Sequence, residues 1–385
     1  MTSLRLPPLP AGLWRVMAGT TLVVFSFSLL NPVLAVRLQT AGASATAIGL
    51  FATLPFLSVA LLLPLVPRLF ARLGVGRAYR LGLGLELVAS LGYLLTDDYR
   101  VWCVLGLLSG MGSAAAWNAT EALIAHNVPA SHRGRLTGFY QALLGAGMAL
   151  GPFLPGMLGL GPLQACAVGA VGLALGLSVT LVPAVTQLQA MHEDREPMSL
   201  LGAWRFRPAL VWAALVGGVF EVGLSAITTA YGSQIGLDLG TATSIAGTLG
   251  MGSFLLQYPL GWLADHLDPR RLFAIGAGVL SLSALLFTQA AQWPALLWLC
   301  AGLWGAVGGA LYTLSMIQVA HDFADSSALA GTAAMIAGYT TGGALGPLLS
   351  GWALDHLGIL GQGLWLAALA GALLWMQRRS PQAER

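Results

Sequence analysis

The chain has 385 residues, of which 57% are hydrophobic and only 9% are charged. A soluble domain carries about 25% charged residues. So few charges cannot cover a water-facing surface, which excludes an ordinary soluble protein and predicts that much of the surface faces lipid. The net charge is +3, and all 18 basic residues are arginine.

A helix that spans a bilayer needs about 20 largely apolar residues. The sequence contains twelve such stretches, numbered here as spans 1 to 12, near 13–36, 47–70, 78–96, 101–126, 134–160, 162–183, 208–234, 242–265, 271–290, 294–320, 328–355 and 358–377. The first stretch is too long for the apolar core of a signal peptide and opens a series of similar stretches. The sequence therefore predicts an all-α integral membrane protein.

Arginine is distributed unevenly between the two sides of this predicted bundle. With both termini in the cytoplasm, 16 arginines fall on the cytoplasmic side, and only Arg37 and Arg100 fall on the opposite side. Cytoplasmic loops of membrane proteins carry an excess of positive charge. We therefore expect both termini to be cytoplasmic.

The two halves of the sequence repeat each other at a constant offset of 195 residues. The matching pairs are Val24-Phe25 with Val219-Phe220, Pro64-Leu65 with Pro259-Leu260, Ala125-His126 with Ala320-His321, and Gly147-x-x-x-Gly151-Pro152 with Gly342-x-x-x-Gly346-Pro347. Four matches in register indicate the duplication of a six-helix unit. We predict an N-terminal bundle over 1–183, a cytoplasmic linker over 184–207 and a C-terminal bundle over 208–385.

Two parallel six-helix halves joined by a charged loop resemble the major facilitator superfamily, and the resemblance covers essentially the whole chain. The family signature after span 8 is kept as Gly261-Trp-Leu263-Ala264-Asp265 and Asp268-Pro-Arg270-Arg271, whereas its first copy has Phe70 in place of the acid. The segments Thr120-Glu121 and Gln257-Tyr-Pro-Leu-Gly261 look like a poorly characterised bacterial branch. The resemblance implies two pseudo-symmetric bundles in a bacterial cell (inner) membrane, with the substrate site between them near the bilayer midplane.

Three carboxylates within the predicted spans are functional candidates, because an ionisable side chain inside a bilayer is costly. Glu221 lies in the middle of span 7, Glu121 in the cytoplasmic third of span 4 and Glu86 midway along span 3. We predict proton coupling at Glu221 and Glu121. The alternatives are a structural hydrogen bond between spans 7 and 1 for Glu221, and pairing with Arg133 or Arg135 for Glu121. Glu86 is interpreted as structural, bonding a backbone carbonyl.

The resemblance implies that spans 1, 4, 7 and 10 line the central cavity. Ser225, Thr228 and Tyr231 follow Glu221 at helical spacing, which predicts one shared helix face. The candidate substrate-cavity residues are Asn31, Arg37, Trp117, Asn118, Ser225, Thr228, Tyr231, Tyr312, Ser315 and Gln318. Arg37 would favour an anionic solute if it faced the cavity.

The charged cytoplasmic loops of the two halves are complementary, and in the resembled fold they lie near each other. We hypothesise a cytoplasmic gate of crossed ion pairs formed by Arg68, Arg72, Arg77, Arg133, Arg135, Asp265, Asp268, Arg270, Arg271, Asp322 and Asp325. The alternative is positive-inside topology with helix capping. The glycine-proline motifs Gly147, Gly151, Pro152 and Gly342, Gly346, Pro347 are interpreted as helix-packing motifs rather than markers of an exporter.

Several function classes lack their sequence signals. The chain has no phosphate-binding loop, no metal-ligand spacing, no nucleophile with a base and no basic helix for nucleic acid. We therefore predict a secondary active transporter, not an enzyme, with no cofactor or metal. Its predicted partners are a small-molecule substrate, protons and the lipid bilayer, but no nucleic acid, and it is expected to be a monomer.

The first prediction is proton-coupled export of small organic or amphiphilic compounds. The alternatives are uptake or facilitated diffusion of a small metabolite, and a transport-inactive membrane sensor, because fold alone does not fix function.

Overall fold

The computed structural model describes residues 10–189, 207–322 and 328–379, which form helices joined by short turns, without any strand in these ranges. Helices α1 to α12 correspond to spans 1 to 12. Their bounds are Ala11–Thr40, Ala45–Leu73, Val75–Leu95, Tyr99–Asn127, Ala130–Leu150 with Leu154–Leu158, Pro162–Thr180, Pro208–Gly223 with Ser225–Gln234, Leu239–His266, Pro269–Phe287, Ala295–Asp322, and for α11 and α12 the two parts of Ala328–Arg379.

The number of spans depends on three special cases, which are the bent α7, the long segment Ala328–Arg379 and the more polar α4. Nine helical segments of the described chain are long and apolar enough to cross a membrane, and the bent α7 makes ten. The segment Ala328–Arg379 has 52 residues, and a straight helix of that length would be about 78 Å long against a hydrocarbon core of about 30 Å. It is interrupted at Gly358, whose φ of 67° is in the region that favours glycine. Counting its two parts separately and adding the more polar α4 gives twelve.

Each half of the molecule is built around a hydrophobic core. One core draws most of its residues from α1 to α6, and the other draws its residues from α7 to α12. Glycines bring helices close within each half: a Cβ on Gly82 would lie 2.6 Å from the Gly112 carbonyl oxygen, and one on Gly252 would lie 2.2 Å from that of Gly302. Of the predicted linker, the structure describes residues 184–189, which include most of the short helix Pro183–Thr186, and Arg207.

The two halves pack against each other through α2 with α11 and through α5 with α8. A Cβ on Gly351 of α11 would lie 2.1 Å from the Ala45 carbonyl oxygen of α2. The equivalent contact joins Gly156 of α5 to Gly240 of α8, where a Cβ on Gly240 would lie 2.5 Å from the Gly156 Cα. These contacts lie at the face where α1, α5 and α11 end, which is the face with few arginines and is called the arginine-poor face below.

Candidate transport site

Glu221 lies on a break in α7. Residues Val219–Gly223 form a π-helical turn, and the helix bends by 41° between Pro208–Gly223 and Ser225–Gln234. Such turns insert an extra residue into a helix and are frequent at functional sites. The carboxylate is thereby directed toward α8, α10 and α11.

Two hydroxyl groups from different helices donate to the Glu221 carboxylate. The Ser253 Oγ of α8 lies 2.5 Å from Oε1, and the Tyr339 Oη of α11 lies 2.9 Å from Oε2. Gly309 of α10 gives the carboxylate room, since a Cβ there would lie 2.8 Å from Oε1. Glu221 is only 8% exposed, so four helices of the C-terminal half meet at one buried acid.

The π-helical turn corrects the predicted shared face of α7. Because a π turn holds more residues than an α turn, the spacing that would align residues 221 to 231 on a regular helix no longer does so. Thr228 is buried and donates to the Leu224 carbonyl oxygen, and Tyr231 packs on Phe287 with ring centroids 5.8 Å apart. Ser225 is half-buried. The structure therefore does not bring Thr228 and Tyr231 to the Glu221 carboxylate.

An aromatic pair connects Glu221 to the region between the two halves. The Tyr339 and Tyr312 rings have centroids 4.4 Å apart, and Tyr312 of α10 lies within electrostatic reach of both Glu221 and Glu121. On the opposite helix α4, Trp117 is 40% exposed and its Nε1 donates to the Glu121 carboxylate at 2.8 Å. Trp117 and Tyr312 are 195 residues apart and thus occupy equivalent positions of the two halves.

The other predicted cavity residues are placed as follows. Asn118 and Ser315 hydrogen-bond the backbone of their own helices, through the Ala114 and Leu311 carbonyl oxygens. Gln318 is half-buried on α10. Asn31 lines a small cavity inside the N-terminal half.

Arg37 does not reach the central region, because its guanidinium is held within the N-terminal half. It forms an ion pair with Asp97, donates to the Tyr93 carbonyl oxygen at 2.7 Å and lies 4.7 Å from the centroid of the Trp102 ring. The sequence indicated a charge near the end of span 1 but not its direction. This placement removes the argument for an anionic solute.

The arginine-poor face carries hydrogen bonds between the halves. Asp355, at the end of α11, accepts from the backbone N–H groups of Ala45 and Thr46 at 2.9 and 2.7 Å and from the Thr46 hydroxyl at 2.6 Å. The Ser233 hydroxyl of α7 donates to the Gln39 side chain at 2.9 Å. Sequence reasoning missed Asp355, which caps a helix of the opposite half.

Most of the ion pairs predicted for the opposite face involve a side chain that lies outside the described part of the structure. These side chains are those of Arg133, Arg135, Asp265, Asp322 and Asp325. The remaining predicted gate residues are Arg68, Arg72, Arg77 and Arg271, which are exposed, Arg270, which is half-buried, and Asp268, which caps α9 through the Arg270 N–H. The crossed ion-pair gate therefore remains a prediction.

The glycines of the two glycine-proline motifs lie against neighbouring helices of their own halves. A Cβ on Gly151 would lie 2.4 Å from the Ser28 Oγ of α1, and one on Gly342 would lie 2.0 Å from the Leu215 carbonyl oxygen of α7. Gly147 and Gly346 also face α1 and α7. Pro152 lies in a 3₁₀ turn that interrupts α5, and Pro347 lies inside α11. The packing interpretation remains the better account of these motifs.

Glu86 corrects a further expectation. Its carboxylate accepts hydrogen bonds from the side chains of Ser109, at 2.7 Å, and Ser113, rather than bonding a backbone carbonyl. Both serines lie one helical turn apart on α4, which packs against α3, so their spacing was a usable signal.

Apolar helices in two packed halves, with a buried acid inside the C-terminal half, are the architecture of a multi-pass membrane protein. The family model for the Major Facilitator Superfamily matches residues 16–256 and 222–385, so the chain belongs to this superfamily. Members of this superfamily are transporters and not enzymes, so the predicted family, fold class and absence of enzyme function are confirmed.

Similar proteins agree in architecture. The uncharacterized transporter YfkF of Bacillus subtilis (strain 168) is 26% identical over 337 residues, covering 85% of each chain. The uncharacterized transporter YcaD of Shigella flexneri is 23% identical over 342 residues, covering 88% of each chain. The nucleoside transporter NupG superposes with a TM-score of 0.75 at 13% identity, over 96% of this chain and 100% of that one. A D-xylose–proton symporter superposes with the same TM-score of 0.75, also at 13% identity, over 96% of this chain and 98% of that one.

Proposed function

We propose that the protein is a proton-coupled secondary transporter of small neutral or cationic organic compounds in a bacterial inner membrane. The observation that carries this proposal is the buried Glu221 carboxylate, held by Ser253 and Tyr339. Both termini are cytoplasmic in this proposal, so the arginine-poor face is extracytoplasmic.

The proton-coupling step follows from the cost of burying charge. A buried carboxylate without a cation is costly, whereas a protonated one needs only hydrogen bonds. Glu221 therefore takes up a proton when closed off and releases it when hydrated. Coupling results if substrate and proton stabilise different conformations. Glu121, which keeps exposed surface, serves as the second proton or cation site.

The substrate class follows from the groups that face the seam. Trp117, Tyr312 and Tyr339 offer aromatic surface, and Glu121 offers a negative charge. Aromatic faces and carboxylates bind organic cations and flat amphiphiles. Because Arg37 is paired with Asp97, it does not provide the positive charge that would favour an anionic substrate.

The direction we propose is export, in exchange for protons. The contacts of Asp355 with α2 and of Gly351 with Ala45 close the arginine-poor face, and in this proposal a solute enters from the cytoplasm. Uptake together with protons is the second candidate, since a D-xylose–proton symporter has a similar fold.

The test compares two modes of transport in proteoliposomes. A panel of cationic, neutral and anionic compounds is first screened for thermal stabilisation. The best ligand is then followed in gradient-driven transport and in equilibrium exchange without a gradient. Glu221→Gln should lose gradient-driven transport at least about tenfold and keep exchange, because amide and carboxyl groups have similar size but only one binds a proton.

The control for this test is Asp238→Asn, which replaces an exposed N-cap of α8 by another good N-cap and should behave as wild type. If Glu221→Gln retains its full response to the pH gradient, proton coupling through Glu221 is wrong. If the ligand accumulates in the same direction in which protons flow, the proposal of export is wrong and uptake together with protons takes its place.

A further inference from the structure

A second buried acid lies in the N-terminal half, outside the proposed transport site. Glu86 of α3 is 4% exposed and borders a cavity of about 30 Å³. A buried water needs about 10–15 Å³ of cavity space. The cavity therefore has room for one small ion with one water.

Two of the oxygen atoms at this cavity lack hydrogen-bond partners among the described residues. The Ser90 side chain is 1% exposed and lines the cavity, and its Oγ has no hydrogen-bond partner among the described residues. The same holds for the Asn31 Oδ1. A buried polar atom left without a partner costs about 1–3 kcal/mol. Both oxygens point to an occupant that interacts with acceptors.

The charge balance indicates what this occupant is. The described lining contains no lysine or arginine, and its two ionisable groups are Glu86 and Tyr93. Arg37 contacts α3 at the Tyr93 carbonyl oxygen but is paired with Asp97. An ionised Glu86 thus lacks a cationic partner among the lining residues, and a buried carboxylate must either take up a proton or be paired with a cation. The two unpartnered oxygens beside Glu86 favour the cation.

We propose that this cavity binds a Na⁺ ion, coordinated by the oxygens of Glu86, Ser90, Ser109 and Asn31. Hard cations prefer oxygen ligands, and a single carboxylate balances a single positive charge. The small volume favours Na⁺ over the larger K⁺. Asn31 is half-buried and so connects the site to accessible surface. The proposal does not depend on the role of Glu221.

The site can be tested on the purified full-length protein without knowing its transport substrate. Melting temperatures are compared in sodium, potassium and choline chloride at equal ionic strength, at about pH 8 and about pH 6. At the higher pH, Na⁺ should raise the melting temperature by about 2–4 °C over choline, because a ligand that binds only the folded state stabilises it. The gain should shrink at the lower pH, because protons compete for Glu86.

Variants separate ion binding from general stability. Glu86→Gln should abolish the response to Na⁺ and Ser90→Ala should weaken it. Ser281→Ala is the control, because Ser281 occupies the position equivalent to Glu86 in the other half and donates to the Ala367 carbonyl oxygen. If Glu86→Gln does not fold, Ser90→Ala still provides the test. Equal effects of Na⁺ and K⁺, stabilisation by acid alone, or a full response to Na⁺ in Ser90→Ala would overturn the proposal.

Discussion

The two halves share their packing but differ in their chemistry. Gly156 and Gly351 are 195 residues apart and both lie in the contact between the halves. By contrast, the position equivalent to Glu221 is Ser26, which lies in the unbroken helix α1. Each half contains a buried acid held by two hydroxyls, but on different helices. The two halves thus have glycines at equivalent positions in the contact between them, but their buried acids lie at positions that are not equivalent.

The largest expected effect comes from adding one methyl group to the seam. In Gly351→Ala the new Cβ would lie 2.1 Å from a backbone oxygen of α2, whereas in Gly156→Ala the nearest atom would be 3.3 Å away. Overpacking costs about 1–3 kcal/mol. Gly351→Ala should therefore reduce transport at least about tenfold and lower the melting temperature by several degrees, and Gly156→Ala should have a small effect. Equal losses in both variants would show that the two contacts are not distinguished in this way.

A smaller effect is expected from the caps of the equivalent helices α2 and α8. Asp355 caps α2 from the opposite half, and Asp238 caps α8 from its own half. Asp355→Ala should increase maleimide labelling of a Ser233→Cys reporter by about threefold to tenfold, because a helix cap is worth about 1 kcal/mol and here it also closes the seam. Labelling is corrected for the native cysteines.

Asp238→Ala is the matched control and should leave this labelling unchanged. It should affect only stability, by less than about 1 kcal/mol because Asp238 is exposed. The hydroxyl and N–H of Thr241 donate to Asp238 and lower the pKa of this carboxyl below its usual value. Its stabilising effect should thus be complete above about pH 4 and be lost as the pH falls through the lowered pKa. Equal labelling in both variants would contradict a role of Asp355 in closing this face.

A further contrast concerns the hydroxyl of Tyr339. The equivalent residue of the N-terminal half is Leu144, which has no hydroxyl group. The N-terminal half therefore has no counterpart of the hydrogen bond from Tyr339 to Glu221. Tyr339→Phe should reduce gradient-driven transport about fivefold, as expected for the loss of about 1 kcal/mol from one hydrogen bond. Equilibrium exchange should change by less than about twofold. A parallel fall of both rates would indicate a structural effect instead.

The smallest effect is expected at the counterpart of Glu221. Ser26 is fully buried, and its Oγ has no hydrogen-bond partner among the described residues. Ser26→Ala removes this polar atom and should keep transport within about twofold, with an unchanged or slightly higher melting temperature. A strong loss of gradient-driven transport would show that this counterpart of Glu221 in α1 also takes part in proton coupling.

The sequence was sufficient for features that depend on composition and periodicity. The apolar stretches predicted the membrane-spanning helices of the superfamily fold, and the cost of charge in a bilayer singled out three acids, of which the structure buries Glu86 and Glu221. The sequence was insufficient to predict where a side chain points when contacts between distant residues decide it. The ion pair of Arg37 with Asp97 and the contact of Tyr339 with Glu221 join residues 60 and 118 positions apart. The π-helical turn left no signal in the hydrophobic pattern.

The cap on α2 also bears on the order in which the protein is made. Thr46 and its partner Asp355 are 309 residues apart, so α2 is synthesised long before the carboxylate that completes its first turn. Until α11 has entered the bilayer, water at the membrane surface must satisfy the free N–H groups of Ala45 and Thr46. A chain whose synthesis has not reached α11 therefore lacks the hydrogen bonds that join α2 to the second half at the arginine-poor face.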